Sequence, residues 1–542
     1  MKRLIIIFLI GLPLVGFAQQ GNEELEEAEI VIRKDRQIVL PLATRNFEKI
    51  PQLPKLEVPN VQQYRFKTFN LNLNPFNPTL NTVRYNTPQQ QGEFNNNYVK
   101  LGYGNYVTPY LEAYLGSPRA RNFLYNVYVR HMSSARGPVA DENSANGRSE
   151  AVVGGQFFDG TNAIKGSLIY NRFSTHYYGY NPVLDLPADD IEQVFNKFSA
   201  KFSVKRTRKD VPYDYHFTTI WGFFKDINDA RENKFYFDTG AELEINPDLK
   251  AELNLLATFS KRSDLIDETR NYLNLMPRVI YNKNSFDFKV GLNVAGDNDS
   301  GRGVGIYPAL EAGYLVNSGL RVYAGFEGDV ELNTFESMAR ENQWLTRGFD
   351  LRNTEKKTDF YGGASMKLMD NLNLDVRASY AGLNDLTFIT NDIADSTRFN
   401  ILYDDETVDR LTISSAINFE KKGLIRSALS FDYYSYSLGT LAEAWHRPEF
   451  KLDFNNTFYP IDKLVITMDF YYMAGLIGLN GETGQSQELD DIFDLNFGAR
   501  YSINQRVGVF LNLNNLFGKE YQRYLNYPTR GIQALGGVSF TF

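Results

Sequence analysis

The sequence predicts an all-β fold, namely a transmembrane antiparallel up-and-down β-barrel of about 22 strands, within a range of about 18–22. From residue 98 to residue 542, segments in which apolar and polar residues alternate are separated by turn residues. Short turns and longer polar connections alternate along the same region. The chain has no cysteine and no second apolar segment long enough for a membrane helix. Because lipid cannot satisfy backbone polar groups, a closed barrel is the remaining way for such a chain to cross a membrane.

The first 18 residues have the pattern of an export signal. Lys2 and Arg3 form a basic start, residues 4–15 are apolar, and Gly16-Phe17-Ala18 fits a small-x-small cleavage site. We therefore expect residues 1–18 to be a removed signal peptide and the protein to lie in the outer membrane of a Gram-negative bacterium. Loss of the two basic residues changes the formal charge from −8 to −10, which argues against nucleic acid as a partner.

Residues 19–97 differ in composition from the rest of the chain. They begin with an acidic stretch and contain seven of the 20 prolines, together with many asparagines. Such proline spacing is incompatible with long helices or central strands. The sequence predicts a separate N-terminal segment, and two interpretations stay open: a periplasmic linker, or a segment folded into the barrel lumen.

The clearest alternating segments place charge on one face and apolar side chains on the other. Leu253 and Phe259 alternate with polar residues, and Phe493 and Leu495 do the same near the end of the chain. In a barrel of the porin type, the charged face lines the lumen and the apolar face contacts lipid. The predicted lumen-facing residues are Lys250, Glu252, Asp469, Asp494 and Arg500.

The longer connections are predicted to lie outside the cell, because such barrels have short periplasmic turns and long outer loops. They include residues 133–149, 177–192, 333–355, 384–405, 437–447, 475–490 and 518–530, and only 107–109 is shorter than expected. The outer-loop candidates for contact with a solute are Trp344, Trp445, Asp404 and Asp405. Two other interpretations stay open, an interfacial aromatic girdle for the tryptophans and solvated loop charge for the aspartates.

Two of these loops have local features. In 333–355, apolar residues at helical spacing follow Thr334, a plausible N-cap. This pattern predicts a short helix packed on the barrel rim. The alternative is a lid that grips a ligand. Residues 297–301 resemble the start of a calcium loop but lack the bidentate Glu that completes one, so solvated loop charge is the favoured interpretation there.

Catalytic motifs are not recognisable in the sequence. The four histidines are scattered, and Ser174-Thr175-His176 is the one arrangement that suggests a hydrolase site, without an identifiable third member. The sequence has neither a phosphate-binding loop nor a zinc-ligand pattern. It therefore predicts a protein that is not an enzyme and that needs no cofactor or metal.

The last strand carries a second kind of signal. Val538, Phe540 and Phe542 fall on one face of an extended chain. This stretch resembles the C-terminal assembly signal of bacterial outer-membrane proteins. The resemblance implies the barrel-assembly machinery as a partner, together with outer-membrane lipid and lipopolysaccharide.

A family resemblance rests on residues 512–521, Asn-Leu-Asn-Asn-Leu-Phe-Gly-Lys-Glu-Tyr, followed by Tyr527-Pro528 and the last strand. This stretch resembles the end of TonB-dependent receptors, and the likeness extends loosely over residues 98–542. It implies a 22-strand barrel and uptake of a solute. Those receptors carry a globular plug of more than a hundred residues, whereas residues 19–97 offer 79, so the chain is most similar to Bacteroidetes-type barrels with a reduced or absent plug.

The leading functional hypothesis is a passive or TonB-assisted barrel that binds a solute or moves it across the outer membrane. The alternative is a non-enzymatic scaffold barrel in an outer-membrane assembly or secretion complex. TonB or a surface lipoprotein is a candidate partner in these hypotheses, and the solute is left open.

Overall fold

The computed structural model describes residues 97–117, 122–181, 183–208, 210–299, 302–481 and 483–542. The predicted signal peptide, 1–18, and the predicted N-terminal segment up to residue 96 lie outside the described residues. Within the described ranges, no helix has the length and apolar character needed to span a membrane.

Twenty-two antiparallel strands form one closed sheet, which confirms the predicted barrel and its strand count. The barrel strands are β1 (Tyr98–Gly104), β2 (Thr108–Gly116), β3 (Phe123–Ser134), β4 (Asn146–Phe158), β5 (Asn162–His176), β6 (Glu192–Arg206), β7 (Tyr213–Asp226), β8 (Arg231–Asn246), β9 (Leu249–Ser263), β10 (Asp267–Lys283), β11 (Phe286–Asp297), β12 (Val304–Asn317), β13 (Leu320–Glu331), β14 (Thr354–Met369), β15 (Leu372–Asn384), β18 (Val408–Lys421), β19 (Ile425–Ser437), β20 (Phe450–Ile461), β21 (Leu464–Ala474), β24 (Ile492–Ser502), β25 (Val507–Asn514) and β28 (Gln533–Thr541).

The remaining elements lie in connections at one end of the barrel. They are a helix, α1 (Phe335–Glu341), two single-turn 3₁₀ helices, Glu142–Ser144 and Ala188–Ile191, and three small hairpins. The hairpins pair β16 (Phe388–Asn391) with β17 (Phe399–Leu402), β22 (Ile477–Leu479) with β23 (Ser486–Glu488), and β26 (Gln522–Tyr524) with β27 (Tyr527–Pro528).

The barrel closes where its last strand meets its first. Val99 of β1 lies opposite Phe540 of β28, and Leu101 lies opposite Val538. Every barrel strand therefore has two hydrogen-bonded neighbours, and the sheet has no open edge. Backbone groups that are all paired within the sheet meet the requirement for crossing lipid.

The two faces of the strands differ as the alternation predicts. On β9, Leu253 and Phe259 are exposed on the outside, whereas Ser260 and Arg262 are buried on the inside. Val538 and Phe540 are exposed on the same outer face of the last strand. An apolar exterior around a polar interior is the arrangement of a membrane-spanning barrel.

Connections at the two ends of the barrel differ in length, as predicted, but two connections at the outer end are shorter than expected. At the end predicted to be periplasmic, connections such as 247–248 and 318–319 have two residues. At the other end, 227–230 and 264–266 are as short as the predicted exception beside residue 107. Neither connection was predicted to be short. At the second, Asp267 pairs with Ser263 and extends the hairpin, so charged residues there belong to the strands and not to a long loop.

The hydrophobic core lies inside the mouth of the barrel. Phe335 of α1 packs on Phe224, an inward-facing residue of β7, at a ring-centroid distance of 5.2 Å. The long connections at this end thus fold inward over the lumen. Loops usually run over protein surfaces, so a loop-built core implies that these connections form a fixed structure.

Candidate functional site

The candidate site is the closure of the barrel mouth, which we call the lid. It consists of residues 332–353, 385–407, 438–449, 475–481, 483–491 and 515–532. Its largest apolar cluster contains Phe195, Phe224, Ala230, Phe335, Met338, Ala339, Leu345, Phe349, Leu351, Ile389, Phe399, Ile401, Tyr524 and Tyr527. This cluster joins lid residues to inward-facing residues of β6 and β7, so the lid is packed against the wall of the lumen.

Helix α1 begins where the sequence predicts. The Thr334 hydroxyl accepts a hydrogen bond from the Ser337 amide (3.1 Å), and the Ser337 hydroxyl accepts one from the Thr334 amide (2.8 Å). This reciprocal capping box satisfies amides that would otherwise lack partners at the helix start. The predicted N-cap is confirmed, but the helix packs on the inner wall and not on the rim.

One strand residue holds the helix start against the wall. The Glu232 carboxylate of β8 is buried and accepts hydrogen bonds from the amides of Phe335 (3.1 Å) and Glu336 (3.2 Å). A carboxylate at a helix N-terminus is favourable because the unpaired amides carry partial positive charge. Glu232 therefore positions the first turn of α1.

An ion-pair cluster around the buried carboxylate of Glu336, which we call the latch, holds the same turn. The Glu336 carboxylate lies 2.5 Å from the Lys197 ammonium of β6 and 3.1 Å from the Lys234 ammonium of β8. Arg340 adds a third contact, at 3.0 Å. Burial would raise the pKa of Glu336, but Lys234, Lys197 and Arg340 outweigh it and lower the pKa to about 2. The Glu336 carboxylate is therefore ionised at any physiological pH.

The second half of the same loop is held by the β9–β10 hairpin. Asp264 accepts hydrogen bonds from the Arg347 guanidinium (3.1 Å) and the Gly348 amide (2.7 Å). Arg262 donates to the backbone carbonyl of Phe349 (2.8 Å). Residues 332–353 are thus attached to the wall at two places.

Aromatic rings meet at the centre of the lid. Trp344 lies 3.9 Å from Tyr527 between ring centroids, and Tyr178 lies 4.7 Å from Tyr527. Phe399 is fully buried and lies 5.4 Å from Tyr524. Connections from all around the barrel therefore converge on one aromatic cluster, which closes the mouth.

His446 joins four of the lid connections. Its Nδ1 donates to the carbonyl of Ile389 (2.6 Å), and its Nε2 accepts from the Leu525 amide (3.2 Å). Its own amide donates to the carbonyl of Ile477 (2.8 Å), and its carbonyl accepts from Arg523 (2.7 Å). Burial, with a smaller contribution from the Arg523 charge, lowers the pKa of His446 to about 4.

This geometry predicts a pH dependence of lid stability. Because the folded-state pKa of His446 is below the usual 6.5, its contribution is complete above pH 6.5 and falls as the pH drops from about 6.5 to about 4, by roughly 3 kcal/mol in all. The protection factors of residues 385–407, that is, their exchange rates corrected for the intrinsic pH dependence of amide exchange, are therefore expected to be lower at pH 4 than at pH 7. His446→Gln, which keeps a donor and an acceptor without titrating, should lose this dependence. Equal pH dependence in both proteins would assign the effect to another group.

The four predicted outer-loop residues have different surroundings. Trp344 donates from Nε1 to the carbonyl of His176 (2.9 Å), and Trp445 is buried among Leu383, Phe388 and their neighbours. Asp404 is buried and accepts from the amides of Glu406, Gly439, Thr440 and Leu441 at 3.0–3.2 Å. Asp405 is exposed. In this closed state three of the four side chains hold the lid together, and Asp405 faces solvent.

The predicted lumen residues form two separate groups. Lys250 bonds Glu242 (2.7 Å) near the short turns, and Glu252 lies in register with Glu242 on the same inner face. Asp494 accepts a hydrogen bond from the Tyr521 hydroxyl of the lid (2.6 Å). In the register of β21 with β24, Asp469 lies opposite Asn496, and Arg500 lies opposite Val465. The role of these residues as a solute path stays a prediction.

Asp297 and Asp299 are in ion pairs and are not solvated, contrary to the favoured interpretation. Asp299 lies 3.1 Å from Arg270, and Asp297 lies 3.6 Å from Arg302. Both side chains are nearly inaccessible to solvent. No cluster of three or more metal-ligating side chains occurs among the described residues.

The hydrolase alternative receives no geometric support. The His176 Nδ1 lies 2.8 Å from the backbone carbonyl of Ala145, and the strand register places Ser174 opposite Val194. A nucleophile must lie within hydrogen-bond reach of its base. His176 instead ties the end of β5 to the connection that precedes β4.

The sequence-based predictions missed the latch and His446. Lys197 and Glu336 are 139 residues apart, and His446 and Leu525 are 79 apart, so no local pattern links them. One signal was available. Acidic Glu336 lies two residues after the predicted cap, Thr334, and lysines recur on the inner face of β6.

Comparisons with known proteins identify the fold. No family model and no curated protein sequence matches the chain. The ferric-catecholate import receptor Fiu of E. coli K12 in its closed form matches 82% of each chain at 10% identity with a TM-score of 0.61. The siderophore receptor PirA of Acinetobacter baumannii matches 82% of this chain and 80% of its own at 10% identity with a TM-score of 0.61. The FrpB iron transporter of Neisseria meningitidis matches 82% and 81% at 9% identity with a TM-score of 0.63.

At this level of identity the likeness concerns the fold. The chain has the large 22-strand barrel of outer-membrane receptors, as the resemblance predicted. The reduced plug is a prediction about residues outside the described part.

Proposed function

We propose that this protein is an outer-membrane receptor or transport barrel that binds a solute and moves it through a lumen closed by the lid. The observation that carries the proposal is the architecture itself: a closed 22-strand barrel, apolar outside and charged inside, with inward-folded loops packed in its mouth. An open pore would not need such a core, whereas a selective barrel needs a barrier that can open.

Two further points support this proposal. The similar structures include proteins described as an import receptor, a siderophore receptor and an iron transporter. The inner wall also carries charge along its length, including the predicted path residues Lys250, Glu252, Asp469, Asp494 and Arg500. Transport is passive or assisted by TonB, and the capture of a solute would begin at the exposed surface of the lid, where Asp405 lies.

Solute flux through proteoliposomes tests the proposal. A variant in which residues 335–351 are replaced by a short Gly-Ser linker loses the latch and most of one lid loop. We expect it to admit small sugars and ions that the full chain excludes, because the barrel wall does not depend on this loop. If the lid-shortened variant without residues 19–97 also folds as a barrel but admits no solute, transport through the lumen is wrong.

The N-terminal segment is tested in the same assay. We propose that residues 19–97 occupy part of the lumen, since the wide interior of a 22-strand barrel needs filling. Deletion of 19–97 from the lid-shortened variant is expected to raise the flux further. An unchanged flux would favour the periplasmic linker.

A scaffold barrel is the second candidate function, and the tight packing of the lid favours it. Phe388 and Phe399 are 0% exposed, which is typical of a permanent core. Purification in mild detergent separates the two functions: a stoichiometric partner such as a surface lipoprotein supports the scaffold, and a solitary barrel supports transport.

Assembly partners belong to the same proposal. Val538, Phe540 and Phe542 are exposed on the outer face of the closing strand. We assign them to recognition by the barrel-assembly machinery during insertion and to contact with lipid and lipopolysaccharide afterwards.

A further inference from the structure

A row of lysines runs down the inner face of β6. Lys197, Lys201 and Lys205 recur every fourth residue, and the alternating residues Phe198 and Phe202 are exposed on the outside. At a rise of about 3.3 Å per residue, successive lysines are roughly 13 Å apart along the strand. The row extends from the latch toward the short-turn end of the barrel.

Lys165 of β5 adds a fourth charge to the row. It lies directly opposite Ser203 of β6, which is itself between Lys201 and Lys205. We call Lys165, Lys197, Lys201 and Lys205 the lysine ladder. The ladder is continuous across two neighbouring strands.

Only the first position of the ladder is occupied by an acidic partner. Lys197 binds the Glu336 carboxylate of the latch at 2.5 Å. Lys165, Lys201 and Lys205 are exposed, and no ion pair joins them to any residue that the structure describes. Three cations without an acidic partner give this section of the wall a local positive potential.

The acids of the surrounding wall do not neutralise the ladder. On β4, Glu150 lies two strands from Lys197, with Asn171 between them. On β8, Asp238 lies two strands from Ser203 and is 3.2 Å from His216. At about 4.8 Å per strand, Glu150 and Asp238 are roughly 10 Å from the row. Asp214 of β7 is nearer, because it lies two residues before His216, which is opposite Lys205, but it forms no ion pair with a ladder lysine in the part of the chain that the structure describes. The ladder keeps its positive potential, which low-dielectric walls concentrate in the lumen.

A different section of the wall has the opposite charge. Asp432, Asp453, Asp469 and Asp494 lie on the inner faces of β19, β20, β21 and β24. The cations on the same inner faces are Lys451, opposite Asp432, and Arg426 and Arg500, which are nearer the short turns. The lumen is therefore charge-asymmetric. An anion inside it is attracted to β5 and β6 and repelled from β19 to β24.

We infer that the lysine ladder is a binding track for solutes with two or more carboxylate or phosphate groups, and that Glu336 occupies its first position as a tethered carboxylate. This inference rests on the proposed transport function and names the chemical class of the solute. A multivalent anion that competes for Lys197 and Lys234 displaces Glu336, so binding of the solute and release of the lid are coupled through one pair of lysines.

Single cysteines measure the local charge, since the natural chain has none. Ser203→Cys places a thiol opposite Lys165 and between two ladder lysines. Ser430→Cys is the matched control, because Ser430 lies opposite Asp453 on the acidic wall. Each purified full-length variant is treated with an anionic and with a cationic methanethiosulfonate reagent, and the two rates are compared.

We expect the anionic reagent to be favoured about tenfold at position 203 and disfavoured at position 430. Lys201→Gln with Lys205→Gln should remove most of the preference at 203. Lys422→Gln with Lys463→Gln, which removes two exposed charges from the short turns, should leave it unchanged. Equal rates for both reagents at 203 would overturn the ladder, while flux through the lid-shortened barrel would still uphold transport.

Protection by soluble anions tests binding directly. Citrate and inorganic tripolyphosphate are added separately while Ser203→Cys is modified. Slower modification with citrate alone assigns the track to carboxylates, with tripolyphosphate alone to phosphates, and with both to multivalent anions in general. Glu336→Gln should strengthen protection, because the tethered competitor is gone. No protection by either anion, in either background, would refute the inference.

Discussion

Replacing Lys197 and Lys234 together by glutamine is expected to release helix α1 from the barrel wall. The change leaves the Glu336 carboxylate buried with Arg340 as its remaining cationic partner. Breaking a buried ion pair on one side costs about 3–5 kcal/mol, since the other charge stays desolvated. Hydrogen exchange of residues 335–341 should then accelerate by at least two orders of magnitude, while exchange in the barrel strands stays slow.

Two controls separate the latch from a general loss of charge. Adding Glu336→Gln to the double variant removes the buried carboxylate charge that has lost its lysine partners. It should restore part of the protection of residues 335–341 from hydrogen exchange. Lys422→Gln with Lys463→Gln removes the same number of lysines at exposed turn positions and should have no effect on α1. Unchanged exchange of α1 in the Lys197 and Lys234 variant would mean that apolar packing alone holds the helix.

The second large effect is expected from Phe399→Ala. Phe399 is 0% exposed, and its ring lies 5.4 Å from Tyr524, 5.5 Å from Tyr527 and 5.6 Å from His446 between centroids. Truncating a buried Phe costs about 3–5 kcal/mol through lost burial and the cavity left behind. We expect residues 385–407 and 515–532 to become sensitive to protease while the barrel stays intact.

Phe517→Ala is the matched control, because Phe517 lies in one of the same connections but is 53% exposed. It should leave protease sensitivity unchanged. If Phe399→Ala resisted protease as well as Phe517→Ala does, the lid core would not depend on the central aromatic cluster.

The barrel could be predicted from the sequence because its signal is local and repeated. Alternation such as that of Leu253 and Phe259 with Lys250 and Glu252 depends only on neighbouring residues, and it recurs from strand to strand. The helix after Thr334 was predictable for the same reason, since a cap and its partner are three residues apart. Patterns among neighbouring residues were therefore enough to predict the barrel strands and one helix of the lid.

The lid as a whole was not predictable, because its contacts join distant parts of the chain. Trp445 appeared to be an exposed loop residue, yet it packs with residues of β15 and of the hairpin that follows. Asp404 appeared to be a solvated charge, yet it accepts backbone amides from another connection. Local composition assigns such residues to polar loops. Their contacts form only because the closed sheet brings the loops together.

We propose that the latch keeps the lumen closed, and single-channel recording in planar bilayers is the most direct test. The full chain should stay closed for long periods, and the variant with Lys197→Gln and Lys234→Gln should open frequently at the same protein concentration and voltage. The variant with Lys422→Gln and Lys463→Gln should behave like the full chain. An equal open probability in the full chain and the latch variant would show that the latch does not keep the lumen closed.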